Sequence, residues 1–294
     1  MGRVDSRLIA VNTLLFGSMP TEKICDLVKA AGLDWIEPAY ISTYLDFDEA
    51  TMFTEAKGIQ LAQMIANAGL KAHAIAAHMD IGDENAVERM TKRIEFAAAF
   101  GVGILISNAS NIVKQSRFIE NIERVSEIAL KSHMVLALEN PGDGEGALMK
   151  DGRSGAAFVK SLGLPNVRMN YDVSNALSYA KAQLDVTQDA TEALADEATV
   201  YLHLKDMKSK GNGLEFCPIG DGMVGYREFF KILLESGRKL PISLEMPIQY
   251  ERRADFRMYP RKAPVDRTLM LNTICRSMEN IERMLLGLEQ DACS

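Results

Sequence analysis

Four residues of metal-ligating type each close a strand-like segment, in four successive segments. Glu139 ends MVLALE, Asp172 ends VRMNYD, His203 ends TVYLH and Glu245 ends PISLE. They stand 33, 31 and 42 residues apart, about one strand-plus-helix unit each time. Side chains so spaced meet only if the strands lie parallel and adjacent, with the connecting helices crossing between them. Three carboxylates and one imidazole suit a single hard divalent cation, Mn2+ first and Mg2+ or Co2+ as well, and are too oxygen-rich for a structural zinc site. Each residue alone has a plain reading: a solvated Glu, an Asp capping a helix that starts at VSN, a core His inside YLHLKD. The equivalent places of all four in consecutive units argue for the joint reading.

Glu139 and Glu245 belong to the fifth and eighth strand segments, so they approach the site from different sides. A sugar held between them and bound to the metal through adjacent oxygens has one carboxylate on each face. The metal acidifies the C–H beside a ketone by stabilising an enediolate. One Glu then removes the proton and the other returns it on the opposite face. That is the chemistry of a ketose epimerase.

The elements that must position these residues run the length of the chain. Strands are expected at 8–14, 34–39, 71–77, 102–107, 134–139, 167–172, 199–204 and 241–246. Amphipathic helices are expected near 20–31, 49–68, 84–100, 115–132, 153–162, 187–197, 225–236 and 266–287. Glycine-containing turns (AAGLD, NAGLK, AFGVG, SLGLPN, ESGRKLP) precede five of the strands, where a Gly closes the preceding helix. Eight strands alternating with eight helices specify an α/β fold, a (β/α)8 TIM barrel, spanning 1–294 as one domain. Active sites of such barrels lie at the C-terminal ends of the strands, where all four residues stand. Asn12, Glu37, His78 and Ser107 put further polar groups at strand ends.

The chain has 294 residues, is 47% hydrophobic and 25% charged, and carries a formal net charge of −7. This acidic balance argues against nucleic acid or an acidic membrane surface as partner. No run approaches the 18 apolar residues of a membrane span, and the first twenty residues lack the apolar core of a signal peptide. Cys25, Cys217, Cys275 and Cys293 show no CxxC spacing and read as free thiols of a reducing, cytoplasmic compartment.

The segments LALEN, NYDVSN, YLHLKD, CPIGDGMVGYREFFKIL and ISLEMP resemble the xylose-isomerase-like TIM-barrel superfamily, in its ketose 3-epimerase branch. That branch includes D-tagatose/D-psicose and L-xylulose-5-phosphate 3-epimerases. The specific match runs from about 134 to 247. The resemblance implies one metal on Glu139, Asp172, His203 and Glu245, with Glu139 and Glu245 as the acid/base pair, and a dimer or tetramer. Glu145, six after Glu139, falls where tagatose-type enzymes have a substrate-binding glutamate. Asn175, three after Asp172, falls where they have a substrate-binding His, while DVSN is closer to the DIGN of the phosphopentulose type. The tagatose-type Arg six after the ligand His is replaced by Ser209. Lys205 and Lys208 resemble the phosphosugar branch instead. The motifs thus combine both branches, and the substrate is a sugar or sugar phosphate. Aldose–ketose isomerisation stays open beside epimerisation. So does a related lyase or dehydratase acting on an oxidised sugar or glycoside, and so does a metal-free binding barrel. An abasic-site endonuclease needs a His-rich three-zinc cluster, and this chain has four His in all.

The segment YERRADFRMYPRKAPVDR reverses the sign of the chain locally, with Arg252, Arg253, Arg257, Arg261, Lys262 and Arg267. Two readings stand: an anion site at the barrel mouth, with Arg253 and Arg257 as contacts, or a solvated or subunit-interface loop. His78, at the end of the third strand, is a further candidate for substrate contact.

Overall fold

Eight short runs of mainly branched and aliphatic residues form parallel strands, and each is followed by a helix. The computed structural model describes residues 9–292. The barrel strands are β1 (Ile9–Asn12), β2 (Ile36–Glu37), β3 (Ala74–Ala76), β4 (Ile104–Asn108), β5 (Val135–Glu139), β6 (Val167–Asp172), β7 (Thr199–Leu204) and, eighth around the barrel, β10 (Ile242–Leu244). They pair in the order β2-β1-β10-β7-β6-β5-β4-β3, all in parallel. The β2 and β3 edges meet through Trp35↔Lys71 and Ala39↔Ala76 bridges, and Ala76 N donates to Pro38 O at 2.9 Å, so the barrel closes. Leu8, first of the expected first strand, lies outside the described residues.

The helices are α1 (Thr21–Ala30), α2 (Glu49–Met52), α3 (Glu55–Asn67), α4 (Ala86–Phe100), α5 (Gln115–Lys131), α6 (Gly152–Ser161), α7 (Val173–Tyr179), α8 (Val186–Leu194), α9 (Tyr226–Glu235) and α10 (Arg267–Ala292). Side-chain caps fix several of their starts: Thr54 for α3, Asp151 with Ser154 as a capping box for α6, and Asp185 for α8. The five glycines expected to close helices, Gly32, Gly69, Gly101, Gly163 and Gly237, all have φ between +65° and +95°.

Three elements depart from the expected pattern. The helix expected over 49–68 breaks at Phe53, whose ring is buried edge-on against Tyr40, Phe47 and Phe96. Burying that ring outweighs helix continuity, and Thr54 caps the restart. The seven-residue α7 was not among the expected barrel helices, but it matches the plain reading of Asp172 as a cap: its side chain accepts from Asn175 N at 2.8 Å and starts the helix. The basic segment is not a loop. It contributes β11 (Tyr250–Arg252) and β12 (Met258–Pro260), which pair antiparallel with the hairpin β8 (Asp206–Lys210) and β9 (Gly213–Cys217) in the order β12-β11-β9-β8.

Two apolar clusters hold the frame. One lies between the barrel and its helices. The other fills the barrel itself with Ala39, Ala74, Ala76 and Ala137, the branched Leu14, Ile41 and Ile106, and the Tyr201 ring. Trp35 and Tyr40 both pack against other rings. Trp35 lies edge-on to His73, which also packs against Tyr201.

Helices α3 and α4 touch through Gly58: a Cβ there would fall 2.5 Å from Phe96 O and 3.2 Å from Phe100 N. Gly58→Ala therefore opposes a helix-propensity gain of about 1 kcal/mol with a clash against fixed backbone. The clash wins, and a net destabilisation of about 1–2 kcal/mol is expected. Urea unfolding measures it; a more stable variant would show that the two helices separate freely.

Candidate metal centre

Strand register brings the four strand-end residues together. Asp172 pairs with His203 across β6 and β7 after a register irregularity at Met169/Asn170, and His203 pairs with Ser243 across β7 and β10. Glu245 comes directly after β10 and continues the ladder, its N–H donating to Leu204 O at 2.9 Å. Glu139 closes β5 opposite Asn108 of β4 and Asn170 of β6. One ligand atom from each of Glu139, Asp172, His203 and Glu245 lies within 4.8 Å of every other, and all four residues are buried.

The surrounding groups orient these side chains. His203 Nδ1 faces the cluster, 3.2 Å from Glu139 Oε1 and 3.4 Å from Glu245 Oε2. Its Nε2 faces Glu37 Oε1 at 2.9 Å. A carboxylate on the far imidazole nitrogen fixes the tautomer and leaves the near nitrogen free to ligate. Asn12 holds Glu37 in turn, donating to Glu37 Oε1 at 2.5 Å and reaching Glu245 Oε1 at 3.4 Å. Asn140 clamps the end of β6: its Nδ2 donates to Asp172 O at 2.9 Å and its Oδ1 accepts from Asp172 N at 3.0 Å. Asn175 Nδ2 donates to Glu139 Oε1 at 3.1 Å. His78 Nε2 approaches Glu139 Oε2 at 3.3 Å without hydrogen-bond alignment, while its Nδ1 lies 3.0 Å from Asn108 Oδ1.

The centre is strongly charged. Lys205 Nζ sits 2.5 Å from Glu245 Oε2 and 2.8 Å from Asp172 Oδ2. Burial raises the Asp172 carboxyl to about 7, with Lys205 working against it. Burial also acts on Glu245, but Lys205 and His203 override it and hold that carboxyl well below its usual range. Burial would deprotonate His203; Glu37, Glu245 and Glu139 outweigh it and keep the imidazole protonated far above its ordinary range.

The donors fit a divalent cation. They are three carboxylates and one imidazole nitrogen with its far side anchored, and the buried Asp172 Oδ2 has no aligned hydrogen-bond donor.

Above the centre opens a cavity of about 590 Å³. Of the four residues only Glu139 and Glu245 line it; Asp172 and His203 lie behind them. Of the six expected substrate contacts, His78, Asn175, Lys205 and Arg257 line the wall, and Glu145 and Arg253 do not. Glu145 is exposed on the turn between Gly144 and Gly146. Arg253 is exposed and stacks over the Tyr259 ring at 4.0 Å. Arg261 lies away from the wall, 3.8 Å from Glu215. Arg252, Tyr44 and Asp143 line the cavity without having been singled out as contacts; Arg252 had appeared only within the basic cluster. Glu37 had been noted only as a strand-end polar group. Its tie to His203 joins residues 166 apart, and no local spacing reports it.

A family model for xylose isomerase-like TIM barrels matches residues 25–267. Among solved structures, an L-ribulose 3-epimerase is 19% identical, with 97% of each chain covered and a TM-score of 0.71. D-psicose 3-epimerase with D-tagatose, from Clostridium cellulolyticum H10, is 12% identical, covering 95% of this chain and 99% of that one, with a TM-score of 0.73. A xylose isomerase-like TIM-barrel protein from Mycobacterium smegmatis, in complex with magnesium, is 17% identical, covering 98% and 99%, with a TM-score of 0.69. At these identities the likeness is one of fold. No protein of curated function matches the sequence. Among the described residues, no helix is long and apolar enough to cross a membrane.

A divalent cation competes with protons here, since His203 and Asp172 must both be deprotonated to ligate. Affinity for Mg2+ or Mn2+ should rise as pH climbs through about 7, where Asp172 loses its proton, and further as the raised His203 gives up its own, with protons released on binding. Calorimetry in two buffers of different ionisation heat measures both. At about 100 times Kd the metal should add roughly 2.7 kcal/mol of stability, removed by chelation. Affinity independent of pH, or no stabilisation, would count against the centre.

Proposed function

The chain belongs to the xylose isomerase-like TIM-barrel family, and on that premise we propose that it is a divalent-metal-dependent sugar epimerase or isomerase. The observation that carries this reading is the split within the four-residue cluster: Glu139 and Glu245 face the cavity, and Asp172 and His203 are sealed behind them. The two that face the cavity are both glutamates, whose carboxylates are suited to moving a proton at carbon. Held by the four residues, a divalent cation (Mn2+, Mg2+ or Co2+) would polarise a ketose carbonyl and the neighbouring hydroxyl, acidifying the C–H on the hydroxyl-bearing carbon.

The chain supplies the proton transfers. Glu139 comes from β5 and Glu245 follows β10, and His203 Nδ1 stands within 3.4 Å of both. They approach a bound sugar from two sides, as inversion at one carbon requires. Glu245 is held ionised by Lys205 and His203, the state a base needs at the start. Glu139 has His78 beside Oε2 and Asn175 on Oε1, two polar groups that fix the carboxyl plane. His78, Asn175 and Lys205 line the wall as partners for sugar hydroxyls and oxyanion. Leu14 and Ile41 line it too and limit water near the reacting carbon.

The test is proton exchange at C3 of ketoses and ketose phosphates in deuterated water, with Mn2+ added and NMR as readout. Glu139→Gln and Glu245→Gln should each lose on the order of 10³-fold or more in turnover, because each removes a charged ligand and a proton carrier together. Near-normal turnover in either variant with metal bound would rule out the two-carboxylate mechanism.

A further inference from the structure

We propose that the substrate carries an anionic group at the end remote from its ketone, a carboxylate or a phosphate, received by Arg252 at the cavity wall. This deepens the sugar-enzyme reading above and rests on it for the identity of the rest of the substrate.

Arg252 is a buried cation with too few partners. Arg252 is 5% exposed and lines the cavity. Its Nη1 donates to Phe256 O at 2.7 Å, within its own hairpin. Its Nε is buried with no hydrogen-bond partner. The nearest carboxylate, Asp143 Oδ2, lies 3.6 Å from Nη1, beyond a good hydrogen bond, and its side chain is 39% exposed to screening water. A buried guanidinium has five donors, and leaving them unmet is costly. An oxyanion with two acceptor oxygens meets the planar fork.

The wall around it has the right sign and spacing. The three ligand carboxylates are offset by a dication and by Lys205. At the rim, Arg252 and Arg257 then face Asp143 alone among the charged lining groups. Asn175 links the two ends of the cavity. Its Nδ2 donates to Glu139 Oε1, while its Oδ1 and Arg252 Nη2 both crowd the space beside Gly142. Arg252 and Glu139 thus stand on either side of one asparagine along the same cavity wall. The cavity volume fits a sugar with a terminal anion. The hairpin is anchored for this purpose: Arg252 pairs with Leu214 of β9, and Tyr250 Oη donates to Tyr44 O at 2.8 Å.

Three ligands that differ only at the far end test the proposal: D-fructose, D-fructose 6-phosphate and D-fructuronate. Each is titrated calorimetrically into the magnesium-loaded protein and assayed for C3 proton exchange, with wild type, Arg252→Gln and Arg252→Lys. Wild type should bind one of the anionic ligands at least about tenfold tighter than fructose, and whichever it prefers names the anion. Arg252→Gln should cut that preference about tenfold or more. Arg252→Lys keeps the charge but loses the fork, and should cut it about threefold. If Arg252→Gln does not fold, as judged by thermal melting, the lysine variant carries the comparison. Equal affinity for all three ligands, or a preference untouched by either variant, overturns the proposal; the latter would put the anion on the metal alone. Anion binding that depends on Arg252 without C3 exchange leaves the subsite standing and defeats the epimerase reading. Exchange on fructose with no Arg252 dependence does the reverse.

Discussion

Four carboxylates, Glu37, Glu139, Asp172 and Glu245, stand in one barrel mouth, none more than 3% exposed. Such a group of anions in a medium of low polarisability repels itself strongly, and no single pair can be understood without the compensating charge. Within the described residues that charge comes from Lys205 and from a protonated His203, each touching two or more of the four. The result is uneven. Glu245, nearest the ammonium and beside the imidazole, is held ionised, whereas buried Asp172 is driven toward its neutral form. The centre is poised to exchange protons for a dication.

Most of the polar framework answers to this constraint. Asn12, Asn140 and Asn175 are amides that donate to carboxylate or backbone oxygen without adding charge, and each is buried at a strand end or just beyond one. Asp172 does two jobs: one oxygen starts α7 through Asn175 N, which leaves the other for the centre. The apolar interior of the barrel, built from four alanines, Leu14, Ile41, Ile106 and the Tyr201 ring, keeps water from the underside of the cluster.

The barrel and the convergence of Glu139, Asp172, His203 and Glu245 were legible in the sequence because both rest on period and position. A strand that ends in a ligand is a local pattern, and a closed barrel turns a one-dimensional repeat into convergence. What was not legible depends on contacts between distant segments. Glu37 reads as one more polar strand end until His203 folds against it. Arg252 and Arg253 are neighbours in a basic run, and only the pairing of β11 with β9 decides which turns inward. The hairpin strands are three residues long, too short for alternation to register. Glu145 sits at the right interval from Glu139, but on a turn whose glycines carry it out to solvent. In the helix expected over 49–68, a burial preference at Phe53 overrode a continuous helical pattern.

The β8–β9 hairpin follows the seventh barrel strand, and the β11–β12 segment follows the eighth, yet the two are zipped into one small sheet. The cluster below is carried by the barrel strands. The upper wall belongs in part to this appended sheet, which supplies Arg252 and Met258 to it. Inheritance can therefore act on the two separately. Changes in the appended sheet retune which molecules are admitted while the reacting groups stay in register, so new specificities can arise from an old catalyst without passing through an inactive ancestor.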